Sequence, residues 1–166
     1  MTICVPALTV HSAWISSSSA SLGEAMEELY REQILEHYKR PHNFGAIENP
    51  DLEFEDTNPF CGDEQHVMIR LDDQDRVAEV KFEGQGCAIS TAATSLLTDE
   101  LVGMTRDELI KLPKEYVLDL LGIDISATRM KCALLGLKVV KGAGLGKEVD
   151  WEDAGEQGDP SLASEI

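Results

Sequence analysis

The sequence has few basic residues. The 166 residues include only 14 lysines and arginines but 31 aspartates and glutamates, so the formal net charge is −17. A surface with this charge repels nucleic-acid phosphates and anionic lipid headgroups, so we predict no nucleic-acid partner and no membrane partner. Apolar runs of the roughly 20 residues that a bilayer span needs are also missing. The hydrophobic residues, 43% of the chain, still suffice for one core, and the length predicts a single folded domain.

Cysteine is scarce as well. The four cysteines are Cys4, Cys61, Cys87 and Cys132. They are too few and too widely spaced for the disulfide framework of a small secreted protein. We therefore expect reduced thiols and a cytoplasmic protein.

Both ends of the chain have the composition of unfolded segments. Residues 1–25 contain no lysine or arginine, so the basic start of a secretory signal is missing, and they include a serine run at 16–19. Residues 147–166 carry seven acidic side chains and a single cation. We predict a disordered head at 1–25, with Met26 as a plausible alternative start, a folded domain at 26–146 and a disordered acidic tail at 147–166.

The hydrophobic pattern within the domain changes from helix to strand and back to helix. Apolar residues recur at the helical period from Met26 to Tyr38, and Pro41 ends the pattern. Alternation then predicts three short antiparallel strands near 52–55, 66–71 and 77–82. Helical patterns follow from Ala92 onward, and Ser126 is placed to cap the last helix. The order of elements predicts an α+β fold in which a three-stranded antiparallel sheet packs against helices.

Three of the cysteines stand at junctions between these elements. Cys61 and Asp63 flank a glycine in a loop, so one turn offers two anionic ligands. Cys87 opens a helix, whose N-terminal end stabilises a thiolate. Cys132 follows Arg129 by three residues, which predicts a guanidinium and a thiolate on one helix face. Cys61, Asp63, Cys87 and Cys132 are our candidate metal ligands.

The residue types alone leave the occupant of this site open. Three thiolates and a carboxylate can hold one zinc or iron ion or a small iron-sulfur cluster. The cysteines are 26 and 45 residues apart, unlike the close pairs of zinc ribbons, and ordinary buried cysteines are an alternative explanation. His37, His42 and His66 are possible metal ligands, but His37 and His66 lie in helix and strand patterns, where a packed or exposed histidine is favoured. A purely structural zinc site is disfavoured, because the ligands come from flexible junctions.

Four motifs together resemble the NifU-like iron-sulfur cluster assembly family, which includes IscU and SufU proteins. They read HYKRPHNFG at 37–45, NPFCGD at 58–63, GQGCAIS at 84–90 and RMKCALL at 129–135. The resemblance implies an α+β fold with a three-stranded sheet. It also implies a shallow site of Cys61, Asp63, Cys87 and Cys132 that receives sulfur from a cysteine desulfurase and serves downstream assembly or acceptor proteins.

The branch of the family is mixed. The separation of 45 residues between Cys87 and Cys132 is similar to the corresponding separation in IscU proteins. Arg129 and Lys131, in contrast, match the SufU pattern, because IscU proteins have histidine where this chain has Lys131. The resemblance favours a scaffold for nascent, transient iron-sulfur clusters, a function that covers the whole family. A zinc-dependent sulfurtransferase, which carries persulfide sulfur in the SUF system, is the alternative. The resemblance implies that Cys61 and Arg129 would then carry out the sulfur transfer.

Overall fold

The computed structural model describes residues 18–154 and contains one three-stranded sheet and five α-helices in that part of the chain. The helices are α1 (Ser18–Lys39), α2 (Ala88–Leu101), α3 (Arg106–Lys111), α4 (Lys114–Leu121) and α5 (Met130–Leu145). The strands are β1 (Leu52–Thr57), β2 (Glu64–Leu71) and β3 (Val77–Gln85), and a 3-10 turn, Ala127–Arg129, precedes α5. The predicted fold class and all three predicted strands are confirmed.

The sheet is a simple antiparallel meander in the order β1-β2-β3. Its register pairs Thr57 with Glu64 and Glu64 with Gln85, so these three residues form one row at one end of the sheet. The loop at 58–63 and the start of α2 therefore leave the sheet side by side. This register brings two distant cysteine motifs together.

Two helices cover the sheet. Helix α5 packs against β1 and β2, α2 packs against β3 and α5, and α1, α3 and α4 pack against these two helices. Their apolar faces meet the sheet in a continuous core whose largest fully buried side chains include Phe82, Ile69, Leu97, Leu101, Leu109, Leu121, Leu134, Leu135 and Leu137. None of the helices between residues 18 and 154 is long and apolar enough to cross a lipid bilayer.

The structure differs from the predicted domain limits at both ends. Helix α1 begins at Ser18, eight residues before the predicted start of the domain. At the other end, Val149 and Ala154 are buried and Trp151 packs on the core, although the acidic composition predicted an unfolded tail from 147. A few apolar side chains suffice to hold this acidic segment, because its charged groups point to water. The predicted disorder at 1–17 and 155–166 lies outside the described residues.

A chain ending at residue 146 is expected to be less stable than one ending at 154. It loses the buried side chain of Val149, worth about 1.5–3 kcal/mol, and the contact of Trp151. It also leaves the ammonium of Lys141, buried and bonded to the carbonyl oxygen of Asp153 at 3.0 Å, without that acceptor. Thermal unfolding of the two chains measures this difference; equal melting temperatures would contradict the packing of 147–154.

The start of the last helix also differs from the prediction. Ser126 precedes the 3-10 turn rather than α5, and its hydroxyl contacts the Thr128 hydroxyl at 3.1 Å instead of capping a backbone N–H. Helix α5 begins at Met130, so Arg129 stands just before it and Cys132 lies in its first turn.

Candidate metal centre

Cys61 and Asp63 lie in the loop between β1 and β2, which is closed by its own hydrogen bonds. The Asn58 N–H donates to the Asp63 carbonyl oxygen, and the Gly62 N–H donates to the Asn58 carbonyl oxygen, both at 2.8 Å. Gly62 has a φ of +72°, a left-handed conformation that favours glycine. This turn sets the Cys61 side chain at the surface and turns Asp63 inward, where it is 5% exposed.

The other two cysteines stand at the N-terminal ends of α2 and α5. Cys87 is the N-cap of α2, and its sulfur accepts a hydrogen bond from the Ser90 N–H at 3.4 Å. Cys132 is buried in the first turn of α5. Both helices direct the positive ends of their dipoles at the site, which stabilises negative ligands there.

Three of the four predicted ligands converge closely. The Sγ atoms of Cys61 and Cys132 are 3.5 Å apart, and one oxygen of Asp63 lies within 4.8 Å of both. Two thiolates on one tetrahedral ion with ~2.3 Å bonds lie about 3.8 Å apart, so the observed sulfur pair is close to that spacing. Cys87 is outside this group of three. Its backbone N–H donates to the Asp63 carboxylate at 3.2 Å, so it adjoins the site without completing it.

Asp63 supports the presence of a cation. Its second carboxylate oxygen, Oδ2, is buried and has no hydrogen-bond partner among the described residues. An unpaired buried carboxylate oxygen is costly, and a metal ion would satisfy it. The donor set of sulfur and oxygen atoms fits zinc, iron or an iron-sulfur cluster.

Burial controls the protonation of Cys132. It raises the pKa of the Cys132 thiol, and the hydrogen bond with Cys61 and the nearby Cys87 raise this pKa further. The thiol therefore holds its proton at neutral pH when no cation is present. Metal binding must displace that proton, so metal affinity rises with pH.

The basic residues around the site have different positions. Arg129 is exposed, and within residues 18–154 its guanidinium makes no hydrogen bond or ion pair. It stands just before α5, so it does not share a face of that helix with Cys132 as the sequence predicted. The Lys131 ammonium lies 4.2 Å from the ring centroid of Phe60 and 5.6 Å from that of Trp151. Phe60, which precedes Cys61, is 77% exposed and forms the rim of the site.

Asn58 also belongs to the site, although the sequence did not predict it. Its side chain is 1% exposed, lies 3.8 Å from the Cys132 sulfur as a donor, and accepts from the Phe60 N–H at 3.1 Å. It thus joins the cysteine loop to α5. The turn-forming pair Asn58-Pro59 was the available signal, but a turn signal does not specify a sulfur contact 74 residues away.

The fold and the site define a small α+β domain that presents thiols and a carboxylate, a donor set suited to soft or borderline metal ions, at the end of a three-stranded sheet. Residues 29–146 match the family model of the NifU-like N terminal domain. The chain belongs to this family, which confirms the resemblance seen in its four motifs.

The relatives include both functional types that the sequence analysis distinguished. The chain is 32% identical over 145 residues to the zinc-dependent sulfurtransferase SufU of Bacillus subtilis, covering 77% of this chain and 97% of the relative. It is 28% identical over 148 residues to the iron-sulfur cluster assembly scaffold protein IscU 1 of Archaeoglobus fulgidus, covering 79% and 95%. These similarities prefer neither function.

A solved structure shares the fold. The crystal structure described as an iron-sulfur cluster assembly scaffold protein for the SUF system from Fervidobacterium islandicum superposes with a TM-score of 0.61 at 29% identity. The similarity covers 71% of this chain and 98% of that one.

Proposed function

We propose that this protein takes part in iron-sulfur cluster assembly, accepting sulfur from a cysteine desulfurase and supporting cluster formation on Cys61, Asp63, Cys87 and Cys132. The observation that carries the proposal is the exposed thiol of Cys61 beside a buried thiol and an unpaired buried carboxylate oxygen. A structural zinc site is normally closed. A site with one ligand at the surface is suited to receiving and releasing its cargo.

The step assigned to Cys61 is a thiol exchange. The Cys61 thiolate attacks the outer sulfur of a persulfide on the desulfurase, and a new sulfur–sulfur bond forms as the old one breaks. The desulfurase cysteine leaves as a thiolate, and Cys61 carries the sulfur. The exposed position of Cys61 makes it the accessible nucleophile among the three cysteines described by the structure.

Arg129 is proposed to assist this transfer. It is exposed at the N-terminal end of α5, three residues before Cys132, so its guanidinium can follow a thiolate that leaves a metal ion. Asp63 offers the hardest donor atom of the four ligands, so a soft metal ion releases it more readily than it releases the thiolates. We propose that this ligand lets the cargo leave.

A zinc-dependent sulfurtransferase is the second candidate. It is favoured by Lys131, which stands directly before Cys132 and holds its ammonium against the Phe60 ring. The Lys131 ammonium has no lone pair with which to bind a metal ion. Asp63 is then the fourth ligand, and together with the three thiolates it forms a complete tetrahedral set for one zinc ion. In this case the metal holds the thiolates until the desulfurase displaces one of them.

Either function requires a reducing environment. The Cys61 and Cys132 sulfurs are 3.5 Å apart, and an oxidising compartment would convert such a pair to a disulfide. We therefore assign the protein to the cytoplasm. The proposed partners are a cysteine desulfurase and the downstream proteins that receive the sulfur or the cluster.

Anaerobic incubation of the purified protein with ferrous iron, cysteine, a cysteine desulfurase and a thiol reductant, which reduces the persulfide sulfur to sulfide, is expected to produce a cluster that absorbs visible light. This cluster should pass intact to an apo-acceptor protein. If the protein instead retains about one zinc ion, accelerates the desulfurase and accumulates a persulfide on Cys61, the sulfurtransferase function is correct. Absence of both results would overturn the proposal.

Arg129→Ala is expected to slow the sulfur transfer several-fold and to leave the metal content unchanged. Arg40→Ala is the matched control, because Arg40 is also exposed and stands at the end of α1. The persulfide formed per unit time, measured by mass spectrometry, gives the comparison. Equal rates in the two variants would remove Arg129 from the mechanism.

A further inference from the structure

A second group of metal-ligating side chains lies where the end of α1 and the following loop meet α2. One ligand atom from each of His37, His42 and Asp99 lies within 4.8 Å of the other two. The imidazole centroids are 4.3 Å apart. Asp99 follows Cys87 by 12 residues on α2, so this group is about 18 Å along the helix from the cysteine site.

The chemistry of this group suits a transition-metal ion. His37 is 6% exposed, and burial, together with the neighbouring His42, lowers its pKa. Imidazole binds metal ions in its neutral form. Two imidazoles and one carboxylate are the donor set of open ferrous and zinc sites.

Access to the group is open on one side. The side chains of His42 and Asp99 are 52% and 37% exposed, whereas His37 is buried. An ion entering from solvent would meet His42 and Asp99 first and keep water molecules on its outer face. The net charge of −17 also concentrates cations at the surface of the protein.

Neighbouring polar groups hold the three side chains in place. Asn43 donates to the Asp99 Oδ1 atom at 2.8 Å, which leaves Oδ2 facing the His42 Nδ1 atom at 2.7 Å. The buried Ser95 hydroxyl contacts the His37 Nδ1 atom at 2.8 Å and accepts from the His42 N–H at 2.7 Å. Two ligands at right angles on an ion with ~2.1 Å bonds are about 3.0 Å apart, so little movement separates the hydrogen-bonded pair from a ligand pair.

We propose that His37, His42 and Asp99 form a second metal site, which binds one divalent transition-metal ion, of the ferrous or zinc type, with water as the remaining ligands. The sequence pattern favoured a packed or exposed histidine at position 37 over a metal ligand. The tertiary structure supplies the two partners, one from the loop after α1 and one from α2. This proposal does not depend on the function of the cysteine site.

Cobalt(II) is the probe that separates the two sites, because thiolate ligands give it intense sulfur-to-metal absorption and imidazole and carboxylate ligands do not. Under anaerobic conditions the full chain is expected to bind two cobalt ions, one of them without the sulfur bands. The variant with Cys61, Cys87 and Cys132 all changed to serine should bind one ion, without those bands. No binding to this variant would overturn the proposal.

His42→Gln in the triple-serine background should weaken the remaining cobalt binding at least tenfold. Because the His42 side chain is half exposed and its backbone N–H is retained, the variant should fold, and circular dichroism checks this. Asp99→Asn is the second variant, since an amide keeps the shape and the Asn43 contact but loses the charge. Unchanged binding in both would show that the cluster only anchors the loop.

His66→Gln is the matched control for these variants. His66 also contacts a carboxylate, Glu53 at 3.2 Å, but no second histidine lies beside that pair in the described residues. This control should bind cobalt as the triple-serine parent does. If it loses binding equally, the signal comes from scattered surface histidines, and the proposal is overturned.

Discussion

Cys87→Ser is expected to retain at most about a tenth of the metal that the unchanged chain holds at its cysteine site. A serine hydroxyl stays protonated at neutral pH and is a poor ligand for zinc or iron. The fold should survive, because serine is a preferred N-cap residue and its oxygen can accept the Ser90 N–H bond that the Cys87 sulfur now accepts. The sulfur-to-metal absorption of bound cobalt(II), together with metal analysis and competition by a chelator, measures the loss at this site.

This variant also decides how many side chains hold the metal. Cys61, Asp63 and Cys132 already lie within 4.8 Å of one another, and Cys87 is outside that group. Full retention of metal by Cys87→Ser would mean that these three suffice. Cys4→Ser is the matched control, since Cys4 lies outside the described residues and we predict no role for it; it should keep all of its metal.

Asp56→Ala is expected to reduce the free energy of unfolding by about 3–5 kcal/mol. Asp56 on β1 forms an ion pair with Lys138 on α5, whose side chain is 3% exposed. Removing the carboxylate leaves the buried Lys138 ammonium without its counter-charge. The centroid of the Trp151 ring lies 4.9 Å from this ammonium, and its cation–π attraction replaces only part of the lost ion-pair energy. Urea unfolding followed by circular dichroism measures the change.

Lys138→Met provides the control for this ion pair. The Asp56 side chain is 16% exposed and can reach water, and methionine fills the space of the lysine stem, so this variant should lose less stability than Asp56→Ala. Combining the two substitutions should recover much of the loss caused by Asp56→Ala. Equal destabilisation by both single variants, with additive effects, would contradict a buried pair.

The strands could be predicted from the sequence because their side chains alternate in burial. In β1 the pattern from Leu52 to Thr57 alternates strictly between half-buried and exposed, as the sequence indicated. The end of the folded segment could not be predicted in this way. Composition placed an unfolded tail at 147, but three apolar side chains find room on the core, and whether such room exists depends on the packing of elements far away in the chain.

The motifs of the sequence identified the family and proposed the ligands of the candidate site. Cys61, Asp63, Cys87 and Cys132 are recognisable from their motifs, because ligand type and local turn chemistry are properties of short segments. Their arrangement in space was decided by the tertiary structure. The contact between Cys61 and Cys132 joins residues 71 apart, and it depends on how α5 packs against the sheet.

The same distinction applies to the histidine cluster and the buried ion pair. His42 and Asp99 are 57 residues apart, and Asp56 and Lys138 are 82 residues apart. A sequence pattern reports periodicity within a few turns of helix or strand, which leaves such contacts unspecified. They arise only when the sheet register and the helix packing bring distant segments together, and the buried surface that drives this packing is a property of the whole domain.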